Sequence, residues 1–346
     1  MQTPEKRIAL TLLAAWGLCW LGAPLAFGPV SEVATEQPME FVGWFNALVS
    51  FQTQFSWKGT NMTGYIVFVI WPQGGHTQVS GPLASDEGSL SVPVEVDIPE
   101  FVPDGMGTLQ VAALSSSCCP ERLDSPRLEQ IFGVDRTPPA IEISRPLPQE
   151  TLLLHQSESA RWTATDLLSG VDTVSATVPD AGPLDTSVVG SHLFEAMAVD
   201  QAGNVASRST PYRVVYQFIG FTLVIDDSEP AVVVPALPEQ TQEQIPQIRQ
   251  ADPLLIQFAL ADAGGGQVPS AVAHLALFQV SLTAQGEEEL GSIPLPEGIS
   301  DLFQFDQETG RYGFTLETAG LPLGLVEVQV LLDDGELKRT RLQLTS

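Results

Sequence analysis

Apolar and polar residues alternate with a period of two along most of the chain, the signature of half-buried β-strands. Tyr65-Ile66-Val67-Phe68-Val69-Ile70-Trp71 is a β-branched and aromatic run stopped by Pro72 and Gly74-Gly75. Leu90–Val96 and Gly107–Leu114 alternate. Pro93 has no N–H to give a ladder, which marks its strand as an edge. The pattern resumes over Ala140–Ile143, Arg161–Thr165, Thr173–Val178, His192–Val199 and Tyr212–Phe218, then over Leu254–Leu260 and Val326–Leu332. In His192–Val199 the pattern puts Phe194, Ala196 and Ala198 on one face. Trp162 shares a face with Ala164 and is expected in the core. Extended segments separated by turn signals predict an all-β chain of tandem antiparallel β-sandwiches.

The punctuation divides the chain. Asp135-Arg136-Thr137-Pro138-Pro139 reads as a semi-rigid joint, giving a β-sandwich domain over 39–136 and further domains over 137–217 and 218–346. Residues 226–252, rich in Pro, Gln and Glu, read as an extended excursion with at most a short helix near Thr241–Arg249. Asp334-Gly335 between two apolar strands predicts a type I′ hairpin.

At the N-terminus, Lys6-Arg7 precede the apolar run Ile8–Phe27. Residues 1–28 therefore read as a signal peptide, or as a signal anchor if uncut, followed by a linker over 29–38. Either way the rest of the chain is exported. No later stretch reaches 18 apolar residues without a charge.

Charge narrows the partners. The 346 residues carry 42 Asp+Glu against 15 Lys+Arg, a formal net charge of −27, although charged residues are only 16 % of the chain. Such a polyanion repels phosphate backbones, which excludes nucleic acid. At 44 % hydrophobic residues the chain has ample material for packed cores. Cys19 lies in the signal, and Cys118 and Cys119 are adjacent. Neighbouring cysteines cannot staple distant strands, so no disulfide framework holds the fold. A vicinal ring, an intermolecular bridge or free thiols are their alternatives.

Thr137-Pro138-Pro139, Asp166 with Ser169-Gly170-Val171, Asp185-Thr186-Ser187 with Gly190, and Asp200-Gln201-Ala202-Gly203-Asn204 follow one another over about 80 residues. In this order they resemble the bacterial extracellular Ig-like domains. Many such relatives carry a cysteine pair where this chain has Ala164 and Val174, so the resemblance implies a sandwich held by packing alone. The order from Phe218 through Pro253-x-x-x-x-Phe258, the Thr309-Gly310 hairpin and Asp334-Gly335 resembles, more loosely, the PxKF domain that often follows such modules. Gln257 stands at that family's lysine.

Chemistry is sparse. His76, His155, His192 and His274 are scattered, and no zinc-protease, nucleophile-elbow or nucleotide-loop motif occurs. Asp166, Asp172, Asp200 and Asn204 fall in turns at strand ends and are candidate calcium ligands; their alternative role is to cap the turns themselves. Trp57, beside Lys58-Gly59-Thr60, is the candidate ligand platform among Trp44, Trp57 and Trp71, with Trp71 expected in the core. Asn61-Met62-Thr63 is a glycosylation sequon. The sequence thus reads as a non-catalytic, secreted or cell-surface protein with a structural or adhesive role, its partners other surface proteins or glycans. It has no cofactor unless calcium, no nucleic acid, and touches membrane only through an uncut N-terminal segment. The alternative is a glycan- or calcium-binding module accessory to a secreted system.

Overall fold

The computed structural model describes residues 32–34, 41–59, 62–115, 128–225, 231–250, 253–282 and 288–346. The signal segment, Cys19, Cys118, Cys119 and Asn61 lie outside the described residues. The chain forms two compact units, Met1–Arg136 and Thr137–Ser346. Among the described residues the regular structure is β throughout apart from one 3₁₀ turn, and no described helix is long and apolar enough to cross a membrane.

The first unit comprises β1 (Glu32–Ala34), β2 (Phe41–Phe45), β3 (Leu48–Lys58), β4 (Met62–Ile70), β5 (His76–Pro82), β6 (Glu87–Asp97), β7 (Gly105–Ser115) and β8 (Leu128–Val134). Its sheets run β1-β3-β6 and β2-β8-β7-β4-β5. The period of two decides which residues meet: Val92, Val94 and Val96 are buried, while Ser91, Pro93 and Glu95 face solvent. Those valines join Phe55, Val67, Val69, Val111 and Phe132 in one core. Each such side chain is worth about 1.5–3 kcal/mol on burial. β6 is an edge, as Pro93 requires. The stretch read as a linker contains β1, paired antiparallel with β3.

In the second unit β9 (Ala140–Arg145), β10 (Glu150–Leu153), β11 (Arg161–Thr165), β12 (Val171–Ala176), β13 (Gly190–Asp200) and β14 (Val205–Val215) form a two-sheet β-sandwich. Its sheets are β10-β14-β13-β12 and β11-β9. Phe194, Ala196 and Ala198 point inward with Trp162, as their alternation dictates. A second sandwich contains β15 (Gln217–Val224), β16 (Val232–Val234), β17 (Gln247–Arg249), β18 (Pro253–Ala261) and β19 (Ala273–Leu282). It continues with β20 (Glu288–Ile293), β21 (Gln304–Asp306), β22 (Arg311–Glu317), β23 (Gly324–Leu332) and β24 (Leu337–Thr345). These strands are ordered β16-β15-β18-β22-β21 and β17-β24-β23-β19-β20. One continuous buried cluster runs through both sandwiches, from Trp162 and Phe194 to Phe258 and Val328.

Two local expectations are corrected and a third is narrowed. The run Tyr212–Phe218 is not one strand: β14 ends at Val215 and β15 begins at Gln217, because the Tyr216 N–H is taken by the Asp334 carboxylate. The Asp334-Gly335 turn is not type I′, which needs positive φ at both central residues. Only Gly335 (φ +81°) has it, and Leu332 N–H bonds Glu336 O, giving a three-residue loop with a glycine bulge. The helix near Thr241–Arg249 is a single 3₁₀ turn, Gln242–Gln244, followed by β17. The excursion lies along the edge of β24. Leu237 N–H donates to Arg339 O, the Gln240 amide bonds Arg341 N–H and O, and Gln343 N–H donates to Pro246 O. Covering an edge in this way removes a template for stray strand pairing.

A buried tyrosine hydroxyl pins each sandwich of this unit. Tyr212 donates to Asp185 O at 3.0 Å. Tyr312, 1 % exposed, donates to Val268 O at 2.7 Å and accepts the Ala271 N–H at 2.8 Å. Tyr312→Phe strands both backbone groups and is expected to cost about 2 kcal/mol. In thermal unfolding this reads as a midpoint lower by about 5 °C.

Candidate functional site

The candidate ligands Asp166, Asp200 and Asn204 stand in turns, and the backbone shows what holds them. Asp166 Oδ1 accepts the N–H groups of Leu168 and Gly170, at 3.1 and 2.8 Å, and the Ser169 hydroxyl at 3.3 Å. Asp200 Oδ1 accepts from Ala202 and Asn204 N–H, while Asn204 Nδ2 donates to Asp200 Oδ2 at 2.8 Å. The same device recurs where no ligand was expected. Asp262 Oδ1 takes the Gly264 and Gly266 N–H groups, and Asp306 takes Glu308 N–H and the Thr309 hydroxyl. In each turn a glycine follows three or four residues after the aspartate with positive φ: Gly170 (+82°), Gly203 (+87°), Gly265 (+80°) and Gly310 (+67°). A short carboxylate that accepts from N–H groups a few residues on, with a left-handed glycine in the loop, closes a turn without help from other elements. Part of the chain's acidity is thus spent on its own turns.

Asp166 and Asp200 nevertheless come together, each placing a carboxylate oxygen within 4.8 Å of the other. Asp172 stands apart from them, exposed at the bulge in β12. Asn204 gives its amide N–H to Asp200.

The expectation of an exposed Trp57 is overturned: the residue is 7 % exposed, inside the first core. Its cross-strand partner is Gly88, where a Cβ would come within 2.9 Å of the indole, so the glycine makes room for the ring. The indole N–H donates to Ser85 O at 3.0 Å, which satisfies its polar edge. Trp71 is also core, as expected.

Two histidines find carboxylates: His155 Nδ1 lies 3.0 Å from Asp262 Oδ2, and His274 Nδ1 lies 3.0 Å from Asp301 Oδ2. Both rings are about half exposed. Among the described residues neither ring meets a serine or threonine hydroxyl, so neither pair is extended to a nucleophile.

The strongest polar constellation escaped sequence reading and sits where the two sandwiches of the second unit join. Asp334, 1 % exposed, accepts the Tyr216 N–H through Oδ2 at 2.9 Å and the Glu336 N–H through Oδ1 at 2.8 Å. Arg213 donates to Asp334 O at 2.9 Å and pairs with Glu336 at 3.2 Å. Ala263 N–H donates to Leu154 O, and the His155–Asp262 contact closes the same junction.

The carboxylates give the second unit a pH dependence with a definite sign. Asp185 is held below the usual carboxylate range by the Ser187 hydroxyl and N–H, and Asp262 by His155 and the glycine N–H groups. Asp306 is lowered by Thr309 and Glu308, and Glu288 by the Arg341 guanidinium. Burial pushes Asp334 the other way. A depressed folded-state pKa contributes stability above the unfolded value and loses it as pH falls through the folded one. Asp334 has the opposite sign, so its charge is a cost that acid relieves. The four lowered carboxylates pull stability down in acid, and Asp334 opposes them. Urea midpoints are therefore expected to hold between pH 7 and 5 and to fall below about pH 4; a midpoint higher at pH 3 than at pH 7 would contradict this assignment.

No protein-family model matches the chain, and no curated protein matches it. Among solved structures the chain is similar to a tetra-tandem repeat in the extending region of a large adhesion protein, at 14 % identity over 84 % of this chain and 69 % of that one, TM-score 0.27. It is also similar to immunoglobulin domains 1–5 of Sidekick-1, at 12 % identity over 94 % and 60 %, TM-score 0.25. A third similarity is to fibronectin(III)-like modules of Clostridium thermocellum CbhA, at 15 % identity over 59 % and 93 %, TM-score 0.20.

Proposed function

We propose that this is a non-catalytic exported protein whose tandem sandwiches serve structural or adhesive contacts at the cell surface, with 137–217 a bacterial-type Ig-like module and 218–346 a PxKF-like one. The observation that carries the reading is the junction of the second unit. Two sandwiches share one buried cluster and are locked by Asp334, Tyr216 and Arg213, a construction suited to holding loops at a fixed spacing. Rigid sandwiches position loops for partners, and a surface at net charge −27 favours basic partners or divalent ions over anionic ones. Protease treatment of intact cells tests it: the chain is expected to be cleaved from outside. A chain protected until the cells are lysed would end the proposal.

A calcium-binding role is the second reading, favoured by the proximity of Asp166 and Asp200. Calcium requires six to eight oxygens, and the carboxylates of both residues already accept hydrogen bonds within their own turns. Thermal unfolding in calcium and in chelator separates the readings, since a native-state ligand raises the midpoint by mass action. The structural reading expects equal midpoints.

A further inference from the structure

The five-stranded sheet of the first unit turns a face of unusual composition to solvent. Its strands β2, β4, β5, β7 and β8 contain a single charged residue, Glu129, in a chain of which 16 % is charged. In the opposite sheet β3 and β6 alone carry Lys58, Glu87, Glu95 and Asp97. Val67, Val69, Leu109 and Val111 fill the core from the inner face of the five-stranded sheet. Their neighbours Phe68, Ile70, Thr108 and Gln110 therefore point outward, since successive side chains alternate across a sheet. The registers set them in two rows, Thr108–Ile70–His76 and Gln110–Phe68–Gln78. Each apolar side chain stands between two neutral hydrogen-bonding ones. A face with apolar groups and almost no charge marks a binding surface rather than a merely solvated one.

Trp44 supplies a platform at the margin of this face. A Cβ on Gly133 would sit 2.1 Å from Cε3 of the indole and 2.4 and 2.5 Å from its ring neighbours Cζ3 and Cδ2. Such near-equal distances belong only to a point above the ring's face, so the indole lies flat on the β8 backbone. Its other face turns away from the sheet. Phe41, 46 % exposed, stands beside it at 5.7 Å between ring centroids, and Met106, 51 % exposed, lies opposite Gly133 on β7. Trp57, Trp71 and Trp162 each donate the indole N–H to a protein oxygen. Among the described residues Trp44 Nε1 has no acceptor.

We infer that this face binds a neutral polysaccharide, a chain of equatorially linked pyranose rings. Such a ring has flat C–H faces, one of which can lie on the free side of the Trp44 indole. Its rim of hydroxyls meets the hydroxyl, amide and imidazole groups that border Ile70 and Phe68, spaced by the strands at about 4.8 Å. Charge selects the same occupant. A chain at net charge −27 repels anionic glycans and anionic lipid surfaces, but not an uncharged polymer. A basic protein would find only Glu129 on these strands, and that carboxylate already accepts the Gln110 amide N–H at 2.7 Å. The inference deepens the adhesive reading proposed above by giving it a ligand class. It is measured on the purified chain, so either can fail while the other stands.

Titration of the full chain with β-1,4-linked hexaoses of glucose, mannose and N-acetylglucosamine tests this, followed by calorimetry and tryptophan fluorescence. The detergent that keeps the N-terminal apolar run in solution has no sugar headgroup. At least one hexaose is expected to bind at about 10–1000 µM, with less than about a twofold change between about 0.03 and 0.5 M salt. Trp44→Ala is expected to weaken binding about tenfold or more. Trp44→Phe keeps an aromatic face, so it weakens binding less but abolishes the fluorescence change. Gln78→Ala, at an exposed position outside the core, is expected to leave the unfolding midpoint unchanged and to weaken binding about threefold. Leu193→Ala, in the second unit, is expected to change nothing. No binding of any of the three up to about 5 mM overturns the inference, as does binding that survives both Trp44→Ala and Gln78→Ala. Binding that weakens about tenfold with salt, or protection of the β4 and β7 amides by an added protein alone, would assign the face to a charged or protein partner and overturns it equally.

Discussion

Arg136→Ala is expected to destabilise the first unit by about 3 kcal/mol or more. The Arg136 guanidinium donates to the carbonyls of Asn46, Ile98, Pro99 and Val102, and its backbone N–H donates to Asp104 Oδ1. Three loop segments, around residues 46, 98–99 and 102, are thus tied to one side chain. Carbonyls that lose a charged donor keep their desolvation cost, which is why truncation costs more than the bonds' net contribution. Arg136→Lys retains the charge but not the planar fork, so it should recover only part of the loss. Calorimetry checks both: the first unit's transition falls, most in the alanine variant, while that of the second unit stays in place. An alanine variant with an unchanged first transition would show that these bonds are replaced by water at no cost.

Asp334→Ala should be nearly as damaging, about 3 kcal/mol, but in the second unit. It removes the acceptor of the Tyr216 N–H inside the protein and of the Glu336 N–H in the same loop. Asp334→Asn is the informative partner variant. It keeps one oxygen to accept one N–H and removes the cost of burying a charge that already raises this carboxyl's pKa. The expected order of unfolding midpoints is wild type, then Asn, then Ala. An asparagine variant no better than alanine would mean that charge, rather than acceptor geometry, carries the contact.

Much of the fold was legible because two-residue periodicity is a local property. Val92, Val94 and Val96, or Phe194, Ala196 and Ala198, announce their buried face within a few positions. The capped turns were legible for the same reason, since Asp200 and Asn204 act within five residues. What escaped was non-local. Asp334 meets Tyr216 across 118 positions, and nothing near either residue signals the other. Arg136 bonds main-chain carbonyls, which have no sequence signature. Trp57 was misread because its neighbours Lys58-Gly59 suggest an exposed turn, whereas Gly88, the residue that gives the ring its place, lies 31 positions away. The run Tyr212–Phe218 has uninterrupted strand character, and only a distant carboxylate divides it.

The two sandwiches of Thr137–Ser346, joined by one buried cluster, are expected to unfold as one cooperative body. Differential scanning calorimetry of Tyr212→Phe and Tyr312→Phe, one variant in each sandwich, tests it most directly. Two transitions are expected for the whole chain, with both substitutions lowering the same one. Three transitions, with each tyrosine moving a different one, would contradict it.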